Sequence, residues 1–284
     1  MGVKDLFKVV HNGIRLRDMC REITKLDFTD LTGYTFYIDA SNFMHRNLQA
    51  FKLYHGEHRV SHIHILLLLY KQCVEYNISL VFVYDPVTAP LYKKKLIEER
   101  MSDPNRSVIT DHEREIFSTV VKFLGITEIR SKDIEAEHLA CILSRLNKMS
   151  LVYSHDSDTL MYGGDMIKNE HGIYVIYYLD KILETFELTR TQFIQVCLTL
   201  GMDYYPGIKG IGPKTVIKKI KSGSIEFDDE FIRIFNYVTT VDSDYYAIYT
   251  EANLTEAKNF LSGLGFTPEN SGFRYIANAI LSEW

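Results

Sequence analysis

Three short apolar runs in this chain each end on an aspartate. Residues 34–38 (Tyr-Thr-Phe-Tyr-Ile) lead into Asp39, and residues 80–84 (Leu-Val-Phe-Val-Tyr) lead into Asp85. Residues 151–155 (Leu-Val-Tyr-Ser-His) lead into Asp156, with Asp158 two residues on. Short runs rich in β-branched and aromatic residues, without polar alternation, read as strands buried on both faces of a parallel sheet. A fourth run at 173–178 has the same character. Between them lie helix-like stretches at 63–76, 92–101, 111–124, 136–149 and 191–200, and the pattern is mainly helical from about 191 onward. This alternation predicts an α/β fold, a doubly wound and mostly parallel sheet flanked by helices. There is no internal repeat, low-complexity tract or Pro/Gly/Ser linker, so residues 1–284 are expected to form one continuous domain.

An open parallel sheet binds its ligands at the carboxyl ends of the strands. The three runs therefore bring Asp39, Asp85, Asp156 and Asp158 to one edge. One aspartate after a strand is often only a helix N-cap, a reading that weakens when three runs share the feature. Glu135 and Glu137 open the helical stretch at 136–149, where the helix dipole alone would account for a single acid. Asp203, after the stretch at 191–200, is the seventh carboxylate. Two unit charges about 4 Å apart repel by roughly 4 kcal/mol at an effective dielectric of 20, so such a cluster calls for cations. Oxygen-only ligands select Mg²⁺ or Mn²⁺ over zinc. Two such ions about 4 Å apart suit in-line hydrolysis of a phosphodiester, one activating water and the other stabilising the leaving oxygen.

A second feature is Pro206-Gly207-Ile208-Lys209-Gly210-Ile211-Gly212-Pro213-Lys214-Thr215. Its glycines permit a turn whose backbone N–H groups face an anion, and Pro213 suits the first turn of a following helix. Lys209, Lys214, Lys218, Lys219 and Lys221 fall between Tyr204 and Ile225 with no acid among them. That pattern grips a nucleic-acid backbone without reading sequence. The net charge of −5 argues against nucleic acid only if charge is spread evenly, and here it is segregated. A third feature is Lys93 and Arg100, seven apart and so on one helical face, where they would neutralise charge on a scissile phosphate. The plain alternative is a solvated helix with Lys–Glu pairs.

Other classes recede. The longest uncharged apolar stretch, 63–70, is far short of the roughly 20 residues that span a bilayer. The N-terminus has charges inside its apolar run, so no signal peptide is read, and Leu6 stands where a myristoylation motif needs Ser or Thr. Cys20, Cys73, Cys141 and Cys197 are scattered without a CxxC pair, against a disulfide framework or zinc ribbon and in favour of a reducing compartment. His62 and His64 lack partners at ligand spacing and are expected to pack.

Taken together these residues resemble the flap endonuclease family, the structure-specific 5′-nucleases of replication and repair, over essentially the whole chain. Met1-Gly2-Val3-Lys4-Asp5-Leu6 resembles the family start, whose glycine lies close to the active site. Residues 37–41 and 83–85 resemble the first two metal motifs, and 135–137 and 155–158 the paired acids of the internal nuclease region. Residues 200–204 with 210–214 are the most specific match, to a helix–two-turn–helix element that binds duplex DNA, often with K⁺. The resemblance implies two Mg²⁺ (or Mn²⁺) ions shared among Asp39, Asp85, Glu135, Glu137, Asp156, Asp158 and Asp203. It places Gly2, Lys93 and Arg100 at the catalytic centre, the last two on a gateway helix. Nucleic-acid contacts fall to His45, Gly207, Lys209, Gly210, Gly212, Lys214, Lys218 and Lys219. The regions become an N-terminal part to 110 with a shortened helical arch at about 86–110, an internal part at 111–202, and the helix–two-turn–helix with C-terminal helices at 203–284.

Three departures stand out. Asp85 is followed by Pro86 where the family has Gly, the Lys93/Arg100 pair is displaced by one residue, and His45 replaces a stacking Tyr. The implied activity is Mg²⁺-dependent cleavage of flapped, branched or gapped DNA in replication, repair or recombination. RNA cleavage by the same site, a non-catalytic nucleic-acid binder and a small-molecule phosphatase stay open as alternatives. A monomer is expected, without a membrane partner or a sliding-clamp peptide. So is a minimal member, viral or a divergent paralogue, working inside the cell and in the nucleus or at a site of DNA replication if the host is eukaryotic.

Overall fold

Strands buried on both faces need an apolar layer on each side, and alternate side chains of the central strands divide between two cores. Phe36 and Ile38 face one core and Tyr37 the other; Leu80 and Phe82 face the first, Val81 and Val83 the second. The structure, a computed structural model, describes residues 2–23, 27–50, 54–55, 58–87, 109–170, 172–240 and 242–266. Among these, eight strands form one sheet: β1 (Arg21–Ile23), β2 (Thr35–Asp39), β3 (Ser79–Tyr84), β4 (Thr127–Ser131), β5 (Ser150–Tyr153), β6 (Met166–Glu170), β7 (Ile173–Tyr177) and β8 (Tyr245–Ile248).

The spatial order is β8-β4-β3-β2-β5-β6-β7-β1. The inner five strands, β4-β3-β2-β5-β6, are parallel throughout. Sequence order runs outward from β2 through β3 to β4, then jumps back across β2 to β5. The boundary between β2 and β5 is therefore the topological switch point, where a crevice opens beyond the strand ends. Register fixes its depth, with Asp39 of β2 level with Val83 of β3 and Tyr37 level with Val152 of β5.

Helices α1 (Ala40–Ala50), α2 (Ser61–Glu75) and α3 (Asp111–Phe123) cover the face carrying Phe36 and Phe82. Helices α4 (Ala136–Leu146), α5 (Asp158–Tyr162), α6 (Leu179–Phe186), α7 (Arg190–Leu200), α8 (Val216–Lys221) and α9 (Asp229–Val238) build the other core, while α10 (Leu254–Gly263) returns to pack on α3. Two starts are fixed by reciprocal caps, each side chain stabilising its helix by about 1 kcal/mol. Thr110 accepts from the Glu113 N–H of α3, Thr189 accepts from the Gln192 N–H of α7, and both helices answer with a bond back to the cap N–H.

The fold class follows the sequence reading, with local corrections. The run at 173–178 is a strand but not a parallel one: β7 pairs antiparallel with β6 through a tight turn at Gly172, φ 91°. Such a short connection permits only a hairpin. Helix α4 stops at Leu146 rather than 149, because Ser150 already opens β5. The C-terminal third contains a strand, β8, among its helices. The predicted helix at 92–101 and most of the arch lie outside the described residues. All four cysteines are free thiols. Among the described residues no helix is long and apolar enough to cross a membrane.

His62 is a core histidine, as expected. It is fully buried, its Nε2 lies 3.3 Å from the Glu113 carbonyl, and its ring stacks on Phe117 at 5.9 Å. Burial lowers its pKa to about 4. The unfolded histidine titrates near 6.5, so between these values the unfolded chain binds the extra proton. His62 therefore leaves stability untouched above about pH 6.5 and lowers it as pH falls towards 4, on the order of 3 kcal/mol in total. Urea unfolding at about pH 7 and pH 4.5 should show a smaller acid loss for His62→Leu than for the wild type. An undiminished slope in the variant would refute this assignment.

Candidate active site

At the switch point, five segments converge on one patch of carboxylates. Asp39 ends β2, Asp85 follows β3, Glu135 and Glu137 begin α4, and Asp156 and Asp158 follow β5. Asp203 sits in the turn after α7, closed by Met202 and Tyr205, which exchange backbone bonds of 2.8 and 3.2 Å. The N–H of Ala136, between Glu135 and Glu137, donates to Asp85 Oδ1 at 3.1 Å, tying the end of β3 to the start of α4. Glu137 Oε1 accepts from Ser154 Oγ at 2.8 Å and from Thr159 Oγ1. Glu135 Oε2 accepts from the Tyr162 hydroxyl at 3.2 Å, and the Tyr204 hydroxyl also bonds Glu135. Asp156 Oδ1 accepts from the Asp158 N–H at 3.2 Å. Asp39 Oδ1 accepts from the Asn42 N–H at 2.9 Å, so the plain helix-start role is real for this residue and coexists with its place in the cluster.

Burial and mutual repulsion act together on these acids. Asp39, Glu135, Glu137 and Asp158 are each less than 10% exposed. The carboxyl of Glu137 is pushed well above the usual range, first by burial and then by Asp156, Asp158 and Asp39. That of Asp158 is pushed well up by burial and then by Asp156, Asp203 and Glu135. Asp156 is also raised, mainly by burial, with its bond from the Asp158 N–H working against the shift. Asp158 Oδ1 is fully buried and has no hydrogen-bond partner among the described residues. An unpartnered buried carboxylate oxygen is costly, and a cation is the partner that offsets both it and its neighbours. The all-oxygen donor set fits a hard divalent ion. As placed, no three of the described acidic, histidine or cysteine side chains enclose a single ion. Several carboxylate oxygens are bonded instead to the hydroxyls and N–H groups named above.

The N-terminal segment completes the patch. Gly2 has φ 101°, and a Cβ there would fall 1.8 Å from Asp156 Oδ1 and 2.9 Å from the Ser157 nitrogen. The Lys4 N–H donates to the Gly201 carbonyl at 2.8 Å, and Ser157 Oγ to the Val3 carbonyl at 3.2 Å. Buried Val3 and Leu6 anchor this strip to the core.

The lysine-bearing turn joins α7 to α8. Gly201 and Gly207 lie face to face, and a Cβ on either would meet the other's loop backbone at 2.7 Å. Gly210, at φ 80°, and Gly212 face open space. The Ile208 N–H donates to the Thr199 carbonyl at 2.9 Å, pinning the turn to the end of α7. The Gly212 carbonyl accepts from both Thr215 and Val216 at 3.0 Å, so α8 begins at Val216 and Pro213 stands a turn ahead of it. Lys209, Lys214, Lys218 and Lys219 are all exposed.

Residues 125–203 match the XPG I-region family, the stretch that contains Glu135, Glu137, Asp156, Asp158 and Asp203. The chain is 27% identical over 259 residues to flap endonuclease 1 of Mycosarcoma maydis, across 78% of this chain and 67% of that protein. It is 31% identical over 179 residues to flap endonuclease 1 of Trypanosoma brucei brucei, across 60% of this chain and 42% of that protein. Among solved structures, the catalytic core of Rad2 in complex with DNA substrate superposes with a TM-score of 0.74 at 19% identity, covering 99% of both chains. The chain thus contains an XPG I-region and is similar to flap endonucleases over most of its length.

The structure brings the seven predicted acids to one crevice, with Gly2 against them and the lysine turn directly downstream of Asp203. Lys93 and Arg100 lie outside the described residues. His45 is half-buried on α1, and the small pocket beside Asp39 is lined instead by Asn42, Arg46, Asn47 and His155, together with Phe43, Tyr153 and Ser154. Sequence reasoning missed Ser154 and Thr159, which hold Glu137, and Tyr162 and Tyr204, which hold Glu135. Only Tyr204, adjacent to Asp203, carried a positional hint.

The Gly2 geometry makes a stability prediction. Gly2→Ala combines a left-handed φ with a clash against Asp156 and should cost about 1–3 kcal/mol in urea unfolding. Gly13→Ala, at φ 82° but in open space, should cost about 1 kcal/mol or less. Equal costs at the two positions would show that contact with Asp156 does not constrain Gly2.

Proposed function

We propose that the chain is a Mg²⁺-dependent structure-specific 5′-nuclease that hydrolyses DNA phosphodiesters at flapped, branched or gapped duplexes. One observation carries this reading. A buried carboxylate cluster at the switch point is continuous, through Asp203 and Gly201, with an exposed lysine-bearing turn between helices. The XPG I-region match and the similarity to flap endonucleases support it.

Each residue has a role in this scheme. Asp158, Asp156, Glu137, Glu135, Asp39, Asp85 and Asp203 hold the metal, and Tyr162 and Tyr204 orient Glu135. Mg²⁺, when bound, supplies the Lewis-acid charge that in-line phosphodiester hydrolysis requires. Gly2 leaves room beside Asp156 for the scissile phosphate. Lys209, Lys214, Lys218 and Lys219, with the backbone at Gly207, Gly210 and Gly212, would hold duplex phosphates, the helix–two-turn–helix element would take a K⁺, and His45 would stack on an unpaired base. Lys93 and Arg100 support the charge of the scissile phosphate. Backbone contacts of this kind do not distinguish DNA from RNA, so substrate choice is settled by assay.

Matched 5′-flap substrates, one all DNA and one with an RNA flap, together with single-stranded RNA, should be incubated with Mg²⁺ and then with EDTA. The expected result is cutting near the DNA junction, abolished by EDTA. Asp156→Asn with Asp158→Asn should lower the rate by more than the roughly 10–100-fold that losing an outer-shell partner costs. Cutting only of single-stranded RNA would keep the site and change the substrate. Unaltered cleavage by the double variant would remove these acids from the chemistry.

A further inference from the structure

The amino-terminal hairpin stands opposite the helix that follows the lysine turn. Its strands, Val10–His11 and Ile14–Arg15, have two residues each and are joined by Asn12 and Gly13 at φ 49° and 82°, the left-handed pair of a type I′ turn. So small a ladder does not stand alone. Its base is fixed by fully buried Val9 and Leu16 and by a bond from the Val10 N–H to the Pro213 carbonyl at 3.3 Å. Asn12, Gly13, Ile14 and Arg15 are exposed, and a Cβ on Gly13 would meet no atom within 4 Å.

Between this hairpin and α8 lies an open groove of about 880 Å³ whose lining includes His11, Arg15, Lys214, Lys218 and Lys221. No acidic residue is among the described residues that line it. Lys218 and Lys221, three apart, lie on one face of α8, and Lys214 joins them from the turn just before the helix, while Lys219 is not part of the groove wall. Like charges at that spacing disfavour a helix slightly, so stability alone does not account for the face. One acid reaches in from outside. Glu187, which ends α6 in a left-handed conformation, places Oε2 2.8 Å from Lys221 Nζ and 3.7 Å from His11 Nε2. Its side chain is 68% exposed, and a pair this open to water exchanges readily for another anion.

We propose that the hairpin is the second wall of a duplex-binding track. One strand's phosphates pass between it and α8, contacted by Arg15 on one side and by Lys214, Lys218 and Lys221 on the other, while Glu187 holds Lys221 when the groove is empty. The inference rests on the duplex-nuclease reading above and adds Arg15, Lys221 and Glu187 to it. An arginine fork opposite a row of lysines suits a continuous phosphate backbone better than a single small anion. The eight residue steps from Gly2, at Asp156, to Val10, at Pro213, reach at most about 29 Å, so the hairpin base lies within roughly eight base pairs of the acids.

The test is fluorescence anisotropy in EDTA with labelled 5′-flap DNA. In one substrate both duplex arms are about 20 base pairs, and in the other both are about 4 and closed by loops. Arg15→Glu should weaken binding of the long-armed substrate about 5- to 20-fold and flatten its salt dependence by about one to two phosphate contacts, with under about 2-fold change on the short-armed one. Arg17→Glu makes the same charge change at an exposed neighbour outside the groove and should bind like the wild type. Glu187→Gln frees Lys221 and should tighten binding of the long-armed substrate about 2-fold, a gain that misfolding does not produce. Equal effects of Arg15→Glu and Arg17→Glu, equal weakening on both substrates, or no effect of Arg15→Glu would overturn the groove alone. Failure of the wild type to bind either substrate would overturn the duplex-nuclease reading together with it.

Discussion

Repulsion among carboxylates buried at the end of a parallel sheet is the constraint around which this molecule is arranged. Apolar strands bring the backbone to the switch point, and the residues that follow them are acids that water no longer screens. Left unanswered, that repulsion would open the crevice. The structure answers it in part with donors drawn from elsewhere in the chain: two hydroxyls on Glu137, two tyrosines on Glu135 and a helix-start N–H on Asp85. Asp158 Oδ1 is left without a hydrogen-bond partner among the described residues. Among the described residues the balance of this cluster is therefore incomplete at one identifiable atom, where the proposed cation would complete it. With the acids in the proposed metal-holding role, folding and metal affinity would share the same carboxylates, and an isolated loss of charge there would stabilise the metal-free chain while weakening the site.

The first sixteen residues connect the two halves of the proposed machinery. Gly2 touches Asp156, Lys4 bonds the Gly201 carbonyl, and Val10 bonds Pro213 within the lysine turn. One short strip of backbone thus runs from the acids to the basic groove, held by buried Val3, Leu6, Val9 and Leu16. A shift of the turn relative to the acids has to deform this strip, which gives the two sites a fixed spacing that neither would have on its own.

What was legible in the sequence follows from local pattern. β2, β3 and β5 are covered on both faces, so their apolar runs are uninterrupted and their terminal aspartates conspicuous. β4 was missed because its Thr-Glu-Ile-Arg-Ser is polar: Arg130 pairs with buried Glu128 at 3.2 Å and lies over the Tyr84 ring, burying charge that reads as surface. The direction of β7 was missed because composition marks a strand without marking its partner, and only the turn at Gly172 decides that. In the site, the acids announce themselves by position after a strand. Tyr162 and Thr159 do not, since they reach Glu135 and Glu137 from 27 and 22 residues away.

Charge segregation reconciles an acidic chain with a polyanionic substrate. The net charge of −5 includes carboxylates withdrawn into the crevice, whose charge a metal would neutralise where the reacting phosphate enters. The lysines of the turn and of α8 stay exposed, and Glu187 reaches Lys221 and His11 only from the open side of the groove. A phosphate strand arriving at the groove meets cations paired weakly enough to be displaced. The acids it approaches are repulsive until cations are bound. With the groove and the acids in their proposed roles, attraction through the one and repulsion at the other would make metal occupancy a condition of productive entry, because the same carboxylates that would hold the ions would otherwise repel the phosphate that must reach them.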